Sequence, residues 1–158
     1  MVSMILMFIG ASPASTGGGI KTTTFFAILL FVFSFAHHRQ DYNVRGRRLS
    51  EQIIKRALSI FTLALGLVIT GTVLVSAAES MTGSPILLEN ALFEVISAFG
   101  TVGLSANVTS GLCAFSKMVI TITMFFGRLG PLTLSMALSG GGDRPNAIRY
   151  PEDRMMVG

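Results

Sequence analysis

The longest apolar stretch of the sequence, 57–78, contains no charged residue. A helix over this range would be about 33 Å long at 1.5 Å per residue, enough to cross the hydrocarbon core of a bilayer. Apolar residues make up 51% of the 158-residue chain and charged residues 13%. This composition is not that of an ordinary soluble domain. The sequence therefore predicts an all-α membrane protein with a span at 57–79.

The connection before this span, 37–56, is rich in arginine and lysine. Short basic loops stay on the cytoplasmic side of a membrane, so this linker predicts the orientation of the chain and membrane lipid as a partner. Basic residues do not alternate with aromatic ones as on a nucleic-acid surface, so no nucleic-acid partner is expected. The single cysteine, Cys113, excludes an intrachain disulfide and a thiolate metal site. We interpret it as a small buried apolar residue.

A shorter apolar segment follows the span, and it ends in a glycine-punctuated run at 99–107. Ser84 as the helix cap and Pro85 at the first helical position predict a pore helix over 85–98. Its length of about 21 Å is too short to cross a bilayer, so we expect a re-entrant half-helix. Non-helical backbone at that depth is tolerated only where protein buries it or where it lines a water-filled path.

The letters Thr-Val-Gly in this run also begin the filter of potassium channels, where main-chain carbonyls replace the water shell of the ion. A glycine there adopts backbone angles that other residues resist. No charge occurs from 95 to 116. In isolation the run is an ordinary glycine-rich loop, but this context predicts a selectivity filter that binds K⁺ through the carbonyls of its first three residues. The predicted filter residues are Thr101, Val102, Gly103 and Leu104.

Two further apolar segments are interrupted near their middle. The first, 1–36, is predicted to be a membrane span that the glycine-rich loop 10–21 interrupts, and such breaks usually mark a pathway or binding site. The loop is superficially similar to a phosphate-binding loop, but Ile20 stands where the Walker spacing requires glycine, which excludes that function.

The second interrupted segment is the predicted return span, 117–139, which carries Arg128 near its middle. An arginine at the bilayer centre costs at least about 2.5–3.5 kcal/mol, so it should face protein or water. A packing salt bridge is the alternative; we favour an arginine that faces an ion path. Pro131 permits a bend, and the polar tail 140–158 is expected to be cytoplasmic.

Three motifs in this order resemble the Trk/Ktr/HKT potassium transporters: residues 15–24, 97–105 and 126–131. The ending 150–158 is similar to that of the bacterial Ktr membrane subunit. The resemblance implies four M1–P–M2 repeats in one polypeptide, a pore in each subunit of a homodimer, and a cytosolic RCK-type nucleotide-binding regulatory subunit. This chain would then be a C-terminal fragment that holds the last span of the third repeat and the whole fourth repeat, 57–139.

The resemblance also implies potassium uptake through a multi-pass protein of the cell membrane. It implies no covalently bound cofactor, K⁺ as the transported ion, and Na⁺ as a candidate coupling or activating ion. The loop 10–21 corresponds to an intramembrane gate below the filter, which a pore-facing arginine contacts. The gate residues on this basis are Gly17, Gly18, Gly19, Lys21 and Arg128.

Two other classes of function stay open. The chain is alternatively a non-transporting structural or assembly subunit, or an inactive truncated gene product. A membrane enzyme has little support, because the apolar blocks show no paired carboxylates, no nucleophile with a base and no metal ligands. We interpret three acidic residues as outer-vestibule or interfacial groups: Glu79, Glu89 and Glu94.

Overall fold

The computed structural model describes residues 1–13, 15–37, 43–44, 47–48 and 50–130. Within them, two two-residue strands in the basic linker pair antiparallel, and a short 3-10 turn, Thr109–Gly111, precedes the last helix. The predicted all-α class is confirmed for the described residues, apart from this hairpin. The elements are α1 Val2–Ile9, α2 Thr22–Ala36, β1 Asn43–Val44, β2 Arg47–Arg48, α3 Glu51–Met81, α4 Leu88–Gly100 and α5 Ala114–Leu129.

Helix α3 is the longest element, with 31 residues. Among the described residues it is the one helix long and apolar enough to cross a membrane. It begins at Glu51 rather than at residue 57, so the last part of the predicted linker 37–56 is helical. Gly71 lets α4 approach closely, because a Cβ there would lie 3.1 Å from Val95 Cγ1.

Helix α4 lies at the centre of the packing and contacts α1, α3 and α5. Its second half, 94–100, is buried throughout, and the Phe99 side chain is fully buried. Burying a phenylalanine side chain contributes about 1.5–3 kcal/mol, so this residue anchors the core. The buried hydrophobic cluster comprises Met7, Ile20, Ala64, Val68, Val75, Ala91, Val95, Ile96, Ala98, Phe99, Leu112 and Ile120.

The boundaries of α4 differ from the predicted pore helix at 85–98. The helix begins at Leu88, and no side-chain hydrogen bond caps it, so the predicted capping role of Ser84 is wrong. The Ser84 N–H instead donates to the Glu79 carbonyl at 3.2 Å and closes the turn after α3. At the other end the helix continues to Gly100, so the first two residues of the predicted filter run 99–107 are helical.

Helix α5 begins at Ala114 rather than at residue 117, because Cys113 acts as its N-cap. The Cys113 sulfur accepts the Ser116 N–H at 3.4 Å, and Cys113 is half-buried. Its interpretation as a buried apolar residue is therefore wrong. The predicted remainder of the span up to 139, the bend at Pro131 and the tail 140–158 lie outside the described residues.

Glu79 is buried where α3 meets the start of α5, with 2% of its surface exposed. Its carboxylate accepts the Cys113 N–H at 2.8 Å and so ties the two helices together. Its interpretation as an outer-vestibule or interfacial group is wrong, because the side chain is buried inside the protein. The backbone donor compensates the cost of burying its charge. Glu89, in the first turn of α4, is exposed.

Candidate functional site

The filter turn, defined as Thr101–Leu104, follows directly from the end of α4. The Thr101 N–H donates to the Ala98 carbonyl and the Val102 N–H to the Ser97 carbonyl, each at 3.0 Å. This pair of bonds is a Schellman motif, in which glycine is the usual left-handed residue. Thr101 occupies that position with φ +53°, a conformation that costs a side-chain-bearing residue roughly 1–2 kcal/mol.

Gly103 is the second left-handed residue of the turn, with φ +81°. Apart from its two chain neighbours, no described residue has an atom within 4 Å of the place where its Cβ would stand. The glycine is therefore required by the backbone conformation and not by crowding. Gly103, whose surface is main chain alone, is exposed, and so are the residues on either side of it, Val102 and Leu104.

The far end of the filter turn is attached to the buried Glu94 of α4. Its Oε1 accepts the Ser105 hydroxyl and, at 2.9 Å, the Ala106 N–H, while its Oε2 accepts the Thr109 hydroxyl at 2.8 Å. Only 4% of Glu94 is exposed. Its interpretation as an outer-vestibule or interfacial group is wrong, because three donors from the segment after the filter surround the carboxylate. Sequence reasoning missed this role.

The glycine loop, defined as 10–21, leaves the end of α1 and returns beside it. The Ile20 N–H donates to the Phe8 carbonyl at 3.3 Å, and the Lys21 N–H donates to the Ile9 carbonyl at 3.0 Å. A helix leaves its last carbonyls unpaired, and here the last carbonyls of α1 accept hydrogen bonds from the amides just before α2. The loop connects α1 to α2, and its bounds are those of the predicted interruption.

The glycine loop contacts the filter turn through Gly18. The Gly18 N–H donates to Thr101 Oγ1 at 2.8 Å. Gly18 is buried, and a Cβ there would lie 2.7 Å from the Phe99 carbonyl oxygen and 3.1 Å from that of Gly127. Only a residue without a side chain allows this approach of three backbones.

The other predicted gate residues lie around this contact. Lys21 donates through Nζ to the Gly17 carbonyl at 2.6 Å, so it braces the loop from within. A Cβ on Gly127 would overlap the Phe99 carbonyl, so α5 packs directly on the end of α4. Arg128 is the next residue, but its side chain is exposed, and within the described residues no hydrogen bond joins it to the loop.

A cleft of about 270 Å³ borders the filter turn between α4 and α5. Across the described ranges, His, Cys, Asp and Glu side chains form no group of three that would hold a metal ion. The cleft is lined by Glu94, Ser97, Ala98, Gly103, Leu104, Ser105, Thr109, Lys117, Ile120, Thr121 and Met124.

One family model matches a range of the chain that includes all of these elements. The family model described as TrkH, cation transport protein, matches residues 1–141. The chain belongs to the TrkH family. The resemblance inferred from the three motifs is thereby confirmed, and the TrkH family consists of transport proteins and not of enzymes.

Relatives of this TrkH-family chain are uptake proteins of bacteria. It is 42% identical over 153 residues to Ktr system potassium uptake protein D of Bacillus subtilis (strain 168), covering 97% of the chain and 33% of that protein. It is 34% identical over 159 residues to potassium/sodium uptake protein NtpJ of Enterococcus hirae, covering 100% and 35%. Ktr system potassium uptake protein B of Vibrio alginolyticus is 32% identical over 158 residues, covering 100% and 33%. The chain spans about a third of the length of these curated relatives.

Proposed function

We propose that this TrkH-family chain contributes one quarter of the ion path of a longer potassium uptake protein. The observation that carries the proposal is the hydrogen bond from Gly18 to Thr101, which joins the glycine loop to the filter turn. A break in one apolar segment and a non-helical turn after a short helix thus meet at one place. Such irregular backbone inside a membrane protein is expected to line a path.

In this proposal the carbonyls of Thr101, Val102 and Gly103 replace part of the water shell of K⁺. The accessible backbone of the turn and the left-handed Gly103 support it, since they allow successive carbonyls to point toward one axis. Helix α4 ends directly before the turn, so the partial negative charge of its C-terminus also favours a cation there. Three further repeats of the full-length transporter would complete the ring. Leu104 is the last residue of the quarter that this chain contributes.

The glycine loop is the proposed gate below this ring. Gly17, Gly18 and Gly19 give it a backbone able to switch between two arrangements, and Lys21 braces the closed one through the Gly17 carbonyl. Arg128 would add a positive charge next to the contact of α5 with α4, which repels cations that reach the loop. Its exposed side chain leaves it accessible to the path.

The wider assembly is part of the same proposal. The transporter would be a homodimer in the cell membrane, with 37–56 and the tail 140–158 in the cytoplasm. Relatives are named as proteins of a Ktr system, which supports a further component, and the resemblance implies that this component is a cytosolic regulatory subunit of the RCK type. One relative is named a potassium/sodium uptake protein, which supports a role for Na⁺; here we propose it as a coupling or activating ion.

The test is Gly103→Ser in the full-length transporter, expressed in cells that lack their own potassium uptake. The left-handed backbone disfavours serine by roughly 1–2 kcal/mol, so the preference for K⁺ over Na⁺ should fall about tenfold. Gly83→Ser is the matched control, because Gly83 has φ +78° and open space but lies in the turn after α3. An unchanged ion preference in Gly103→Ser, at equal amounts of protein in the membrane, would overturn the proposal.

A further inference from the structure

The two ends of the filter turn are attached to the same helix, α4. Ser97 and Ala98 accept the N–H groups at its start, and Glu94 accepts the donors just after its end. The Ser97 and Ala98 carbonyls lie in the last turn of α4, and Glu94 lies one helical turn before them. The four residues Thr101–Leu104 therefore form a short bridge between two fixed points on a buried helix.

Both oxygens of the Glu94 carboxylate accept hydrogen bonds in this attachment. An ionised carboxylate accepts hydrogen bonds and donates none, so it orients the Ser105 hydroxyl, the Ala106 N–H and the Thr109 hydroxyl toward itself. The two hydroxyls also lie 2.7 Å from each other, which closes a ring of polar contacts. Within the described residues, no buried side-chain polar atom is left without a partner.

We infer that Glu94 is a positioning residue for ion selectivity: it fixes the spacing of the filter-turn carbonyls from behind. The inference rests on the proposed function, because it takes Thr101–Leu104 as part of the filter. Four residues between fixed ends have few backbone conformations, and selectivity requires that the carbonyls keep one of them. Releasing the Ser105 end would let the turn, with its strained Thr101, relax toward other conformations.

The experiment measures the K⁺/Na⁺ preference of uptake in the full-length transporter with Glu94→Gln. Glutamine keeps the volume and one acceptor oxygen, but it removes the charge and places an amide donor where the Thr109 hydroxyl now donates. The preference should fall about tenfold, the effect of losing one charge-assisted hydrogen bond that favours a single conformation. Two matched controls should keep the preference: Glu89→Gln, exposed on the same helix, and Glu79→Gln, buried but bonded to the Cys113 N–H.

The Gly103→Ser and Glu94→Gln variants together distinguish a failure of the inference from a failure of the proposed function. If Gly103→Ser loses selectivity while Glu94→Gln keeps it, the positioning role is overturned and the filter assignment stands. If both keep it, both fail. If Glu94→Gln does not reach the membrane, Thr109→Val is measured instead, since it removes the donor to Oε2 and the contact of that hydroxyl with Ser105 but keeps the carboxylate. A smaller loss of selectivity in that variant supports the inference, and an unchanged preference overturns it.

Discussion

The backbone N–H of Gly18 donates to Thr101 Oγ1 at 2.8 Å, and this one side chain joins the glycine loop to the filter turn. The backbone of Thr101 closes the C-terminus of α4, while its hydroxyl holds a loop from a distant part of the chain. The pairing gives the proposed gate a direct contact with the proposed filter. A change in either should therefore be felt by the other.

Removing the Thr101 hydroxyl should release the loop. Thr101→Val keeps the shape and the β-branch but leaves the buried Gly18 N–H without its acceptor, which costs about 1–3 kcal/mol of the closed arrangement. We expect potassium flux through the full-length transporter to rise about fivefold or more. Thr101→Ser retains the hydroxyl and should behave like the unmodified protein. Equal flux in all three, measured as net K⁺ uptake, would contradict the role of this bond.

The gate itself is tested at Arg128 and in the three glycines of the loop. Arg128→Ala should raise flux about tenfold, because an exposed unit charge a few ångströms from a permeating cation opposes it by about 1.4 kcal/mol. Arg128→Lys keeps the charge and should stay near the original flux. Shortening Gly17–Gly19 should raise flux as well. The measurement is potassium flux in proteoliposomes without a cytosolic subunit, and a flux unchanged by both modifications would refute the gate.

The close packing of α5 on α4 makes Gly127 sensitive to any side chain. Gly127→Ala would drive its Cβ into the Phe99 carbonyl, and overpacking of this kind costs about 1–3 kcal/mol. We expect a lower thermal unfolding midpoint of the purified transporter in detergent. Gly66→Ala is the matched control within a helix, because open space surrounds its Cβ, and its midpoint should be unchanged or slightly higher. Equal midpoints would show that the helices separate without cost.

The buried Glu79 should contribute to stability and not to ion preference. Glu79→Ala removes the acceptor of the Cys113 N–H at the start of α5, which should lower the free energy of unfolding by about 1.5–3 kcal/mol. Glu89→Ala on the exposed face of α4 should change it little. Thermal unfolding in detergent measures the difference. A variant as stable as the original would mean that this carboxylate does not hold α3 against α5.

The helical segments were predictable because each is marked by local composition. The apolar run of α3 and the glycine-rich interruption between Ile9 and Thr22 depend only on neighbours in the chain. Helix ends were less predictable. Ser84 precedes a proline, which is a good start signal, yet its N–H is used by the Glu79 carbonyl, and the chain runs extended to Leu88.

The buried carboxylates were not predictable from composition. Glu79 and Glu94 are isolated acids in apolar surroundings, which in a membrane sequence suggests the edge of the bilayer. Their donors come from backbone and hydroxyl groups that carry no charge and leave no pattern in the sequence. A weak signal exists for Glu94, since it lies one helical turn before Ser97 and Ala98, whose carbonyls close the same turn.

The sequence by itself determined where helices form, where they break and which residue of the filter turn, Gly103, is free to adopt a left-handed conformation. Apolar runs and glycine positions have these effects through neighbouring residues alone. Only the tertiary structure decided that Gly18 meets Thr101 across 83 positions of sequence and that Glu94 holds the far end of the filter turn. Such contacts arise from the packing of α4 between its neighbours. Their donors are backbone and hydroxyl groups that leave no pattern in the sequence, so these hydrogen bonds depend on which groups the folded chain brings together.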